Sequence, residues 1–334
     1  MNQPPPKKRK ADENNNIKEN RMRAVQAGLW HDDGNIILIA EDTPFKVHKS
    51  MLSKKSEIFR DMFSLPQPAT LDESELMDGI PAVSMSDSWI DLRCILLAIY
   101  DGYQTFGTSV ALSLPTISAF LRLGTKYGLT DFYESAVSRL NATFPSTLDL
   151  FMKKMDTALQ ECRVIDKLGT TIIMTSADAI VAINLARAHN ISSILPAAFY
   201  TCSRLPPKIL VEGVKDADGN RSVLSPEDLA RCWAGQQTLD RLYAVAIQSL
   251  RFEIGGRLCE SSDRCFDFKG YDTQEDLYKH MGCCFGSASH LDMDIGDDLC
   301  LGCVKARASA WTLFQKETWD SLLDIFDLKD STHG

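Results

Sequence analysis

Six of the ten cysteines in this chain crowd together near its C-terminal end, with spacings that suit metal binding. Cys300 and Cys303 have the C-x2-C spacing of a zinc knuckle, in which Gly302 would permit a tight turn toward the metal. Zinc requires two more ligands. Cys259 and Cys265 would supply them from separate elements, because the five residues between them are too many for a second knuckle. These four cysteines are the candidate zinc ligands.

The zinc hypothesis has alternatives within the same segment. Further ligand options are Cys283, Cys284, His280 and His290. A second C-x2-C pair is missing, and thiols packed in an irregular, reduced subdomain would also account for the cysteines. The sequence therefore predicts no resident cofactor and keeps zinc as a secondary hypothesis.

An acidic stretch at residues 216–227 has part of the EF-hand calcium pattern. Positions 1, 3, 5, 7 and 12 of such a loop would be Asp216, Asp218, Asn220, Ser222 and Glu227. Position 6, where the sharp turn requires glycine, is Arg221 instead. We interpret the stretch as an Asp/Gly-rich turn before a capped helix.

His48 lies between two lysines in the stretch FKVHKSMLSKKSEIFRDMF, residues 45–63. No cysteine nucleophile or second histidine accompanies it locally, so a role in holding the fold is favoured over catalysis. The chain also lacks a glycine-rich phosphate loop, a G-x-S-x-G elbow and an H-E-x-x-H motif. The sequence predicts a protein that is not an enzyme.

The amino-acid composition limits further which class of protein this chain can be. The chain has 334 residues, 44% apolar and 24% charged, which is ordinary for globular domains. No apolar run approaches the roughly 18 residues of a membrane helix, and the N-terminus does not have the pattern of a secretory signal. The net charge is −9, although residues 1–25 carry seven Lys/Arg against three Asp/Glu. We expect no membrane partner, and no direct DNA partner for so acidic a body.

The basic N-terminal segment resembles a nuclear import signal. The sequence PPPKKRKADENNN contains four consecutive positive charges, Lys7, Lys8, Arg9 and Lys10, in a context that predicts an extended, disordered tail. A solvating tail or nonspecific contact with nucleic acid is the alternative. The signal would imply an import receptor as partner and a nuclear location, with cytoplasm. In that reducing compartment, disulfides among the crowded cysteines are not expected.

The first third of the body reads as strands followed by short helices. A buried strand is predicted at 35–40, a second one through Phe45 and Val47, and a short strand at 82–85. Helices are predicted at 88–102 and 114–129, and Ser56 could cap the helix that contains Phe59, Met62 and Phe63. Residues 65–81 are predicted to be a surface loop. The region is therefore an α+β unit.

The remainder of the chain is predicted to be mainly α-helical. A helix starts after Ser225, where Pro226, Glu227 and Asp228 suit a first turn, and its apolar face includes Leu239, Leu242, Tyr243, Ala246 and Leu250. Residues 253–310 are less regular, and the segment LFQKETWDSLLDIFDL (313–328) closes the chain.

The order of these elements and several spaced residues resemble the BTB/POZ domain. The likeness covers roughly residues 26–142: an Asp before an apolar strand, then phenylalanine, "H+xxL" and "SxxFxxMF". The matching residues are Asp33, Phe45, His48, Lys49, Leu52, Ser56, Phe59, Met62 and Phe63. Later segments such as AIYDG and ILPAAFY resemble the fungal branch of that family, in which a helical extension and a cysteine-containing tail follow.

The resemblance implies the organisation of the whole chain. We expect a disordered basic tail at 1–25, a BTB/POZ fold with a small sheet flanked by short helices at 26–142, a helical extension at 143–252 and a cysteine-containing subdomain at 253–334. It also implies fold and interface roles for Asp33, Phe45, His48, Leu52, Phe59, Met62 and Phe63. His48 would be hydrogen-bonded inside the fold, with Asp33 nearby on the dimer-related side.

Two functions follow from the resemblance, and a third follows from the import tail and the acidic body. The first is a scaffold that forms a homodimer, through the N-terminal strand region and first helix, and recruits unidentified proteins. The second is a substrate adaptor of a cullin-type ubiquitin ligase. Such adaptors typically carry an apolar-x-Glu motif after the third strand, where this chain has only Met85-Ser86-Asp87. The third is a transcriptional co-regulator without direct DNA contact.

Overall fold

The computed structural model describes most of the chain after its N-terminal segment, in several stretches. The described residues are 28–65, 76–102, 107, 110–155, 171–216, 219–252, 259–260, 265, 283–285 and 299–329. The chain divides into two compact units after Arg139. Each unit has its own buried core.

The first unit is built on a four-stranded sheet in the order β2-β1-β4-β3. Its strands are β1 Ile36–Ala40, β2 Thr43–Val47, β3 Leu76–Met77 and β4 Ile80–Met85. β1 is antiparallel to β2 and parallel to β4, so that Leu38 pairs with both Phe45 and Val83. Leu38 and Phe45 are completely buried, as the continuous apolar run of β1 predicts.

Five helices belong to the described part of this unit. They are α1 Lys49–Lys55, α2 Glu57–Ser64, α3 Trp89–Asp101, α4 Leu114–Tyr127 and α5 Thr130–Thr143, with the two-residue strand β5 Leu112–Ser113 before α4. Ser56 caps α2 by accepting a 3.0 Å hydrogen bond from Phe59 N, which confirms the predicted cap. α3 packs against α4, where Arg122 forms a bidentate ion pair with the buried Asp91.

The second unit is mainly helical. Its helices are α6 Leu148–Met155, α7 Ala179–Ala188, α8 Leu195–Ser203, α9 Pro207–Glu212, α10 Pro226–Phe252, α11 Leu301–Asp320 and α12 Leu322–Ile325. Its described residues also include the short strands β6 Ile172–Ile173, β7 Val214–Lys215 and β8 Arg221–Ser222, with 3-10 turns at Ser176–Asp178 and Ser192–Ile194. An aromatic cluster of Phe151, Tyr200, Phe285 and Trp319 forms part of its core, with ring centroids 4.6–5.8 Å apart. The fold is α+β in the first unit and mainly helical in the second.

Three predictions about local structure were wrong. The predicted loop at 65–81 contains strand β3 and the start of β4, because Leu76 and Met77 pair with Pro81 and Ile80 across a tight turn. A helix begins at Leu301, within the stretch 253–310 that was predicted to be less regular. Leu242 on α10 is exposed by 36%, although the other apolar residues of its predicted face are buried.

Candidate functional site

His48 is the centre of a hydrogen-bonded group at the end of β2. Its Nε2 lies 3.0 Å from Asp33 Oδ1, and its Nδ1 lies 2.8 Å from the Tyr100 hydroxyl. The backbone N–H of His48 donates to that same hydroxyl at 2.9 Å. Both ring nitrogens are therefore engaged within the protein, and neither is left to act on a substrate. This geometry fits the structural role implied for His48.

Tyr100 connects this group to a second histidine. The His31 ring stacks on the Tyr100 ring, with centroids 4.3 Å apart and an angle of 16° between their planes. Burial raises the pKa of Tyr100, which keeps its hydroxyl protonated as a donor. The Asp33 side chain, in contrast, is 86% exposed, and the hydrogen bond from His48 lowers its pKa. Asp33 thus presents a charged carboxylate at the surface.

A lysine and an aromatic side chain, Lys49 and Phe63, extend the surface that begins at the Asp33 carboxylate. Lys49, next to His48, holds its ammonium group 5.7 Å from the centroid of the Phe63 ring. Met62 and Phe63 are half-buried, and Phe63 stacks on the buried Phe59 with a centroid distance of 5.9 Å. We call the group of Asp33, His48, Lys49, Met62 and Phe63 the Asp33–Phe63 surface.

The other implied fold residues lie in the core. Phe45 and Leu52 are completely buried, and Phe59 is 1% exposed. Phe59 also stacks on Tyr127 of α4, with ring centroids 4.6 Å apart. The seven implied residues therefore separate into a core group and a surface group.

A groove of about 610 Å³ is lined by the end of α1, the start of α2 and residues 128–132. Its apolar part is formed by Ile58, Leu129 and Phe132, and Ile58 is 46% exposed. Its charged rim includes Lys55 and Asp131, which form a 3.1 Å ion pair. The alternation patterns of the sequence do not indicate this groove, because it joins the start of α2 to the start of α5.

Asp87, the acidic residue in the near miss to the cullin motif, is not free to contact a partner. Its side chain is 7% exposed, and Lys126 donates to Asp87 Oδ1 at 2.6 Å. The Tyr127 hydroxyl donates to the other carboxylate oxygen. Burial, together with this hydrogen bond to Asp87, raises the pKa of Tyr127.

The structure brings together the four candidate zinc ligands. The Sγ atoms of Cys259, Cys265, Cys300 and Cys303 all lie within 4.8 Å of one another. All four are free thiols, of which Cys259 is half-buried and the others are buried. Leu299 and Val304 pack against the cluster. Residues from three separate stretches of chain thus form one sulfur-rich centre.

The cluster is not built on a knuckle turn. Cys300 is the N-cap of α11 and Cys303 lies in the first turn, so Gly302 is helical and buried. The expectation that Gly302 forms a tight turn toward the metal was therefore wrong, because a helix start already places residues three apart on one side. Hydrogen bonds from the backbone N–H groups of Glu260 and Cys303 lower the pKa of the Cys300 thiol to about 6.

Other predicted elements have mixed outcomes. Cys283 is disulfide-bonded, contrary to the expectation that the crowded cysteines stay reduced.

At the calcium-like stretch, Asp216 accepts from the backbone and side-chain nitrogens of Asn220, at 2.8 and 3.0 Å, within a β7–β8 hairpin. This supports the interpretation as a turn. The import-signal residues Lys7, Lys8, Arg9 and Lys10 lie outside the described residues.

Comparison with known proteins identifies the first unit. Residues 31–142 match the family model of the BTB/POZ domain. No curated protein matches this chain closely enough to count as a relative. Within the described part of the chain, no helix is long and apolar enough to cross a membrane. BTB domains are protein-interaction domains that mediate homo- and hetero-oligomerisation. The sheet and helices, the core residues Phe45, Leu52 and Phe59, and the family match together show that residues 31–142 of this chain form a BTB/POZ domain.

Proposed function

We propose that this protein is a non-enzymatic scaffold that forms a homodimer through its BTB/POZ domain and recruits other proteins in the nucleus. The observation that carries the dimer is the Asp33–Phe63 surface. It places an exposed carboxylate, a lysine and a half-buried aromatic residue side by side.

A two-fold interface suits a surface of this composition. In a symmetric dimer the same patch occurs on both subunits, so each contact between two different residues occurs twice, and residues near the two-fold axis meet their own counterparts. Asp33 of one copy could then pair with Lys49 of the second, while the two Phe63 rings bury apolar area. Burying an aromatic or large aliphatic side chain typically contributes about 1.5–3 kcal/mol.

Further apolar exposure lies along the same helix. Leu65, directly after α2, is 62% exposed. Single exposed apolar residues are common, but this one follows Met62 and Phe63 and extends their apolar surface. The continuity supports burial of this end of α2 against another chain.

Light scattering of the full chain tests the dimer. We expect a mass twice the 37.2 kDa of one chain at micromolar concentration. Asp33→Lys should weaken the dimer at least tenfold, because it places like charges opposite Lys49, whereas Asp32→Lys changes the same charge at an adjacent exposed residue and should have little effect. A stable monomer at all accessible concentrations would contradict the proposal.

The groove beside α2 supports recruitment of a second protein. A peptide segment can bind such a groove by placing its apolar side chains on the apolar floor. Ile58→Glu should reduce partner binding while leaving the dimer mass unchanged, since Ile58 lies outside the Asp33–Phe63 surface. Loss of both properties together would show that the two surfaces are not independent.

A role as cullin adaptor is less well supported. Asp87 is already bound by Lys126 and Tyr127, so it offers little to a partner. Co-precipitation of a cullin from cell extract, and its loss in a variant at Met85, would favour the adaptor over the scaffold.

The nuclear part of the proposal depends on the basic tail. Residues 1–25 fused to a fluorescent reporter should direct it to the nucleus, and replacing Lys7, Lys8, Arg9 and Lys10 by alanine should abolish this.

A role as transcriptional co-regulator without DNA contact fits the acidic body of the protein. Retention on DNA-cellulose at physiological salt after deletion of residues 1–25 would contradict that part.

A further inference from the structure

We propose that Cys259, Cys265, Cys300 and Cys303 bind one Zn²⁺ ion in a closed, structural site. This inference is independent of the dimer and of the nuclear location. It concerns the second unit alone.

The distances suit a tetrahedral ion. With zinc–sulfur bonds of about 2.3 Å, the sulfur atoms of a tetrahedral site lie about 3.8 Å apart. The four Sγ atoms here lie within 4.8 Å of one another, and those of Cys259 and Cys300 are 4.0 Å apart. A contraction of about 1 Å at most therefore completes the tetrahedron. A disulfide would instead need about 2.05 Å, and all four are free thiols.

The hydrogen bonds around the sulfurs favour thiolates over packed thiols. The Glu260 N–H donates to Cys300 Sγ at 3.3 Å, and the Cys303 N–H donates to the same sulfur at 3.5 Å. The Cys300 N–H donates to Cys265 Sγ at 3.3 Å. Thiols packed only as small apolar groups have no need of such donors, whereas metal-bound thiolates are stabilised by them.

The helix start adds to this stabilisation. Cys300 and Cys303 are held at the N-terminus of the 20-residue helix α11, where unpaired N–H groups give a partial positive charge. A zinc ion with four thiolates has a formal charge of −2, which the positive helix end and the N–H donors partly offset. Upon binding, Zn²⁺ replaces the protons of the four thiols, which pass to solvent.

The four sulfur ligands indicate which metal ion the site would bind and whether the site is structural or catalytic. Four sulfur ligands in a tetrahedron favour zinc over magnesium or calcium, which prefer oxygen. Four protein ligands leave no open position for a reacting water, so the site is structural. It would tie residues 259–265 to the start of α11, whose Trp311 packs edge-on against Tyr243 of α10.

Metal content of the full chain, purified under reducing conditions, tests the proposal. We expect one zinc per chain, falling at least tenfold in Cys300→Ser and in Cys265→Ser. The matched controls are Cys94→Ser and Cys284→Ser, which remove thiols outside the cluster and should retain the zinc. A chelator should lower the Tm of the wild type and not that of Cys300→Ser.

Cobalt titration of the wild-type protein provides a readout that does not depend on how well a variant folds. One equivalent of Co²⁺ should give the intense visible absorption of a tetrahedral ion with sulfur ligands, and one equivalent of Zn²⁺ should displace it. Cys303→His should still bind one cobalt with weaker sulfur charge transfer. Reduced wild-type protein that contains no zinc and binds no cobalt would overturn the proposal, as would bound iron or disulfides among these four residues.

Discussion

Phe326 lies directly against Gly235 in α10, so closely that a Cβ atom at position 235 would overlap its ring. Phe326 is completely buried and also packs against Phe199, with ring centroids 5.5 Å apart. Glycine inside a helix is unfavourable by roughly 0.8–1 kcal/mol relative to alanine. The close approach of the ring explains why α10 contains it.

Gly235→Ala should therefore destabilise the second unit despite its better helix propensity. Overpacking a buried contact costs about 1–3 kcal/mol or more, which exceeds the gain in propensity of about 1 kcal/mol. Urea unfolding of the full chain measures the difference. Gly28→Ala is the control, because its Cβ would meet nothing within 4 Å. The double variant Gly235→Ala/Phe326→Leu should lose less than the sum of the two single changes, and strict additivity would argue against the steric explanation.

Ser56→Ala should weaken the connection between α2 and α4. The Ser56 hydroxyl accepts from Phe59 N at 3.0 Å and donates to the Tyr127 carbonyl at 2.6 Å. Removing it eliminates the cap and leaves a buried carbonyl unpaired, for a total of about 1–3 kcal/mol. Ser64→Ala removes an exposed hydroxyl at the other end of α2 and should change stability by less than about 0.5 kcal/mol. Equal effects in thermal unfolding would refute the proposed role.

Arg122→Ala should destabilise the first unit because it removes the cation that pairs with the buried carboxylate of Asp91. Arg122 bonds both carboxylate oxygens at 2.8 Å, and the Asp91 side chain is only 11% exposed. Because the arginine is half exposed, we expect a loss of about 1–3 kcal/mol, below the range for fully buried pairs. Arg122→Lys should recover only part of it, since lysine lacks the two-pronged geometry. Arg93→Ala on the exposed side of α3 is the control, and a comparable loss there would point to a general charge effect.

The stabilisation from Tyr127 should decline at alkaline pH. Burial, with the hydrogen bond to Asp87, raises the folded-state pKa of Tyr127 above its ordinary value of 10.0. The contribution is complete below pH of about 10, and it falls above this because the unfolded chain loses the phenolic proton first. Tyr127→Phe should therefore be less stable than the wild type at pH 7, and the difference should shrink from pH 9 to pH 11. Urea midpoints that fall in parallel for both proteins would contradict this.

Features that depend on neighbouring residues follow from the sequence. The apolar run of β1, the Ser56 cap of α2 and the start of α10 after Ser225 all involve residues a few positions apart. Backbone hydrogen bonds and side-chain alternation act over that range, so composition and spacing suffice to predict them. The β3 strand was missed because its two residues pair only across a turn, and two residues show no periodicity.

Features that join distant residues depend on the path of the chain. The sequence supplied the four cysteines as candidates, yet only the tertiary structure brings Cys259 next to Cys300 and shows that Cys303 stands in a helix rather than in a turn. Packing likewise decides two other contacts. These are the hydrogen bond from Tyr127 to the buried Asp87 and the contact of the Phe326 ring with Gly235. The sequence by itself determined the local elements, because these depend on neighbours along the chain, and its resemblance to the BTB/POZ family indicated the kind of domain. Tertiary structure alone decided which sulfurs, charges and rings meet, because close packing of distant segments is a property of the whole fold.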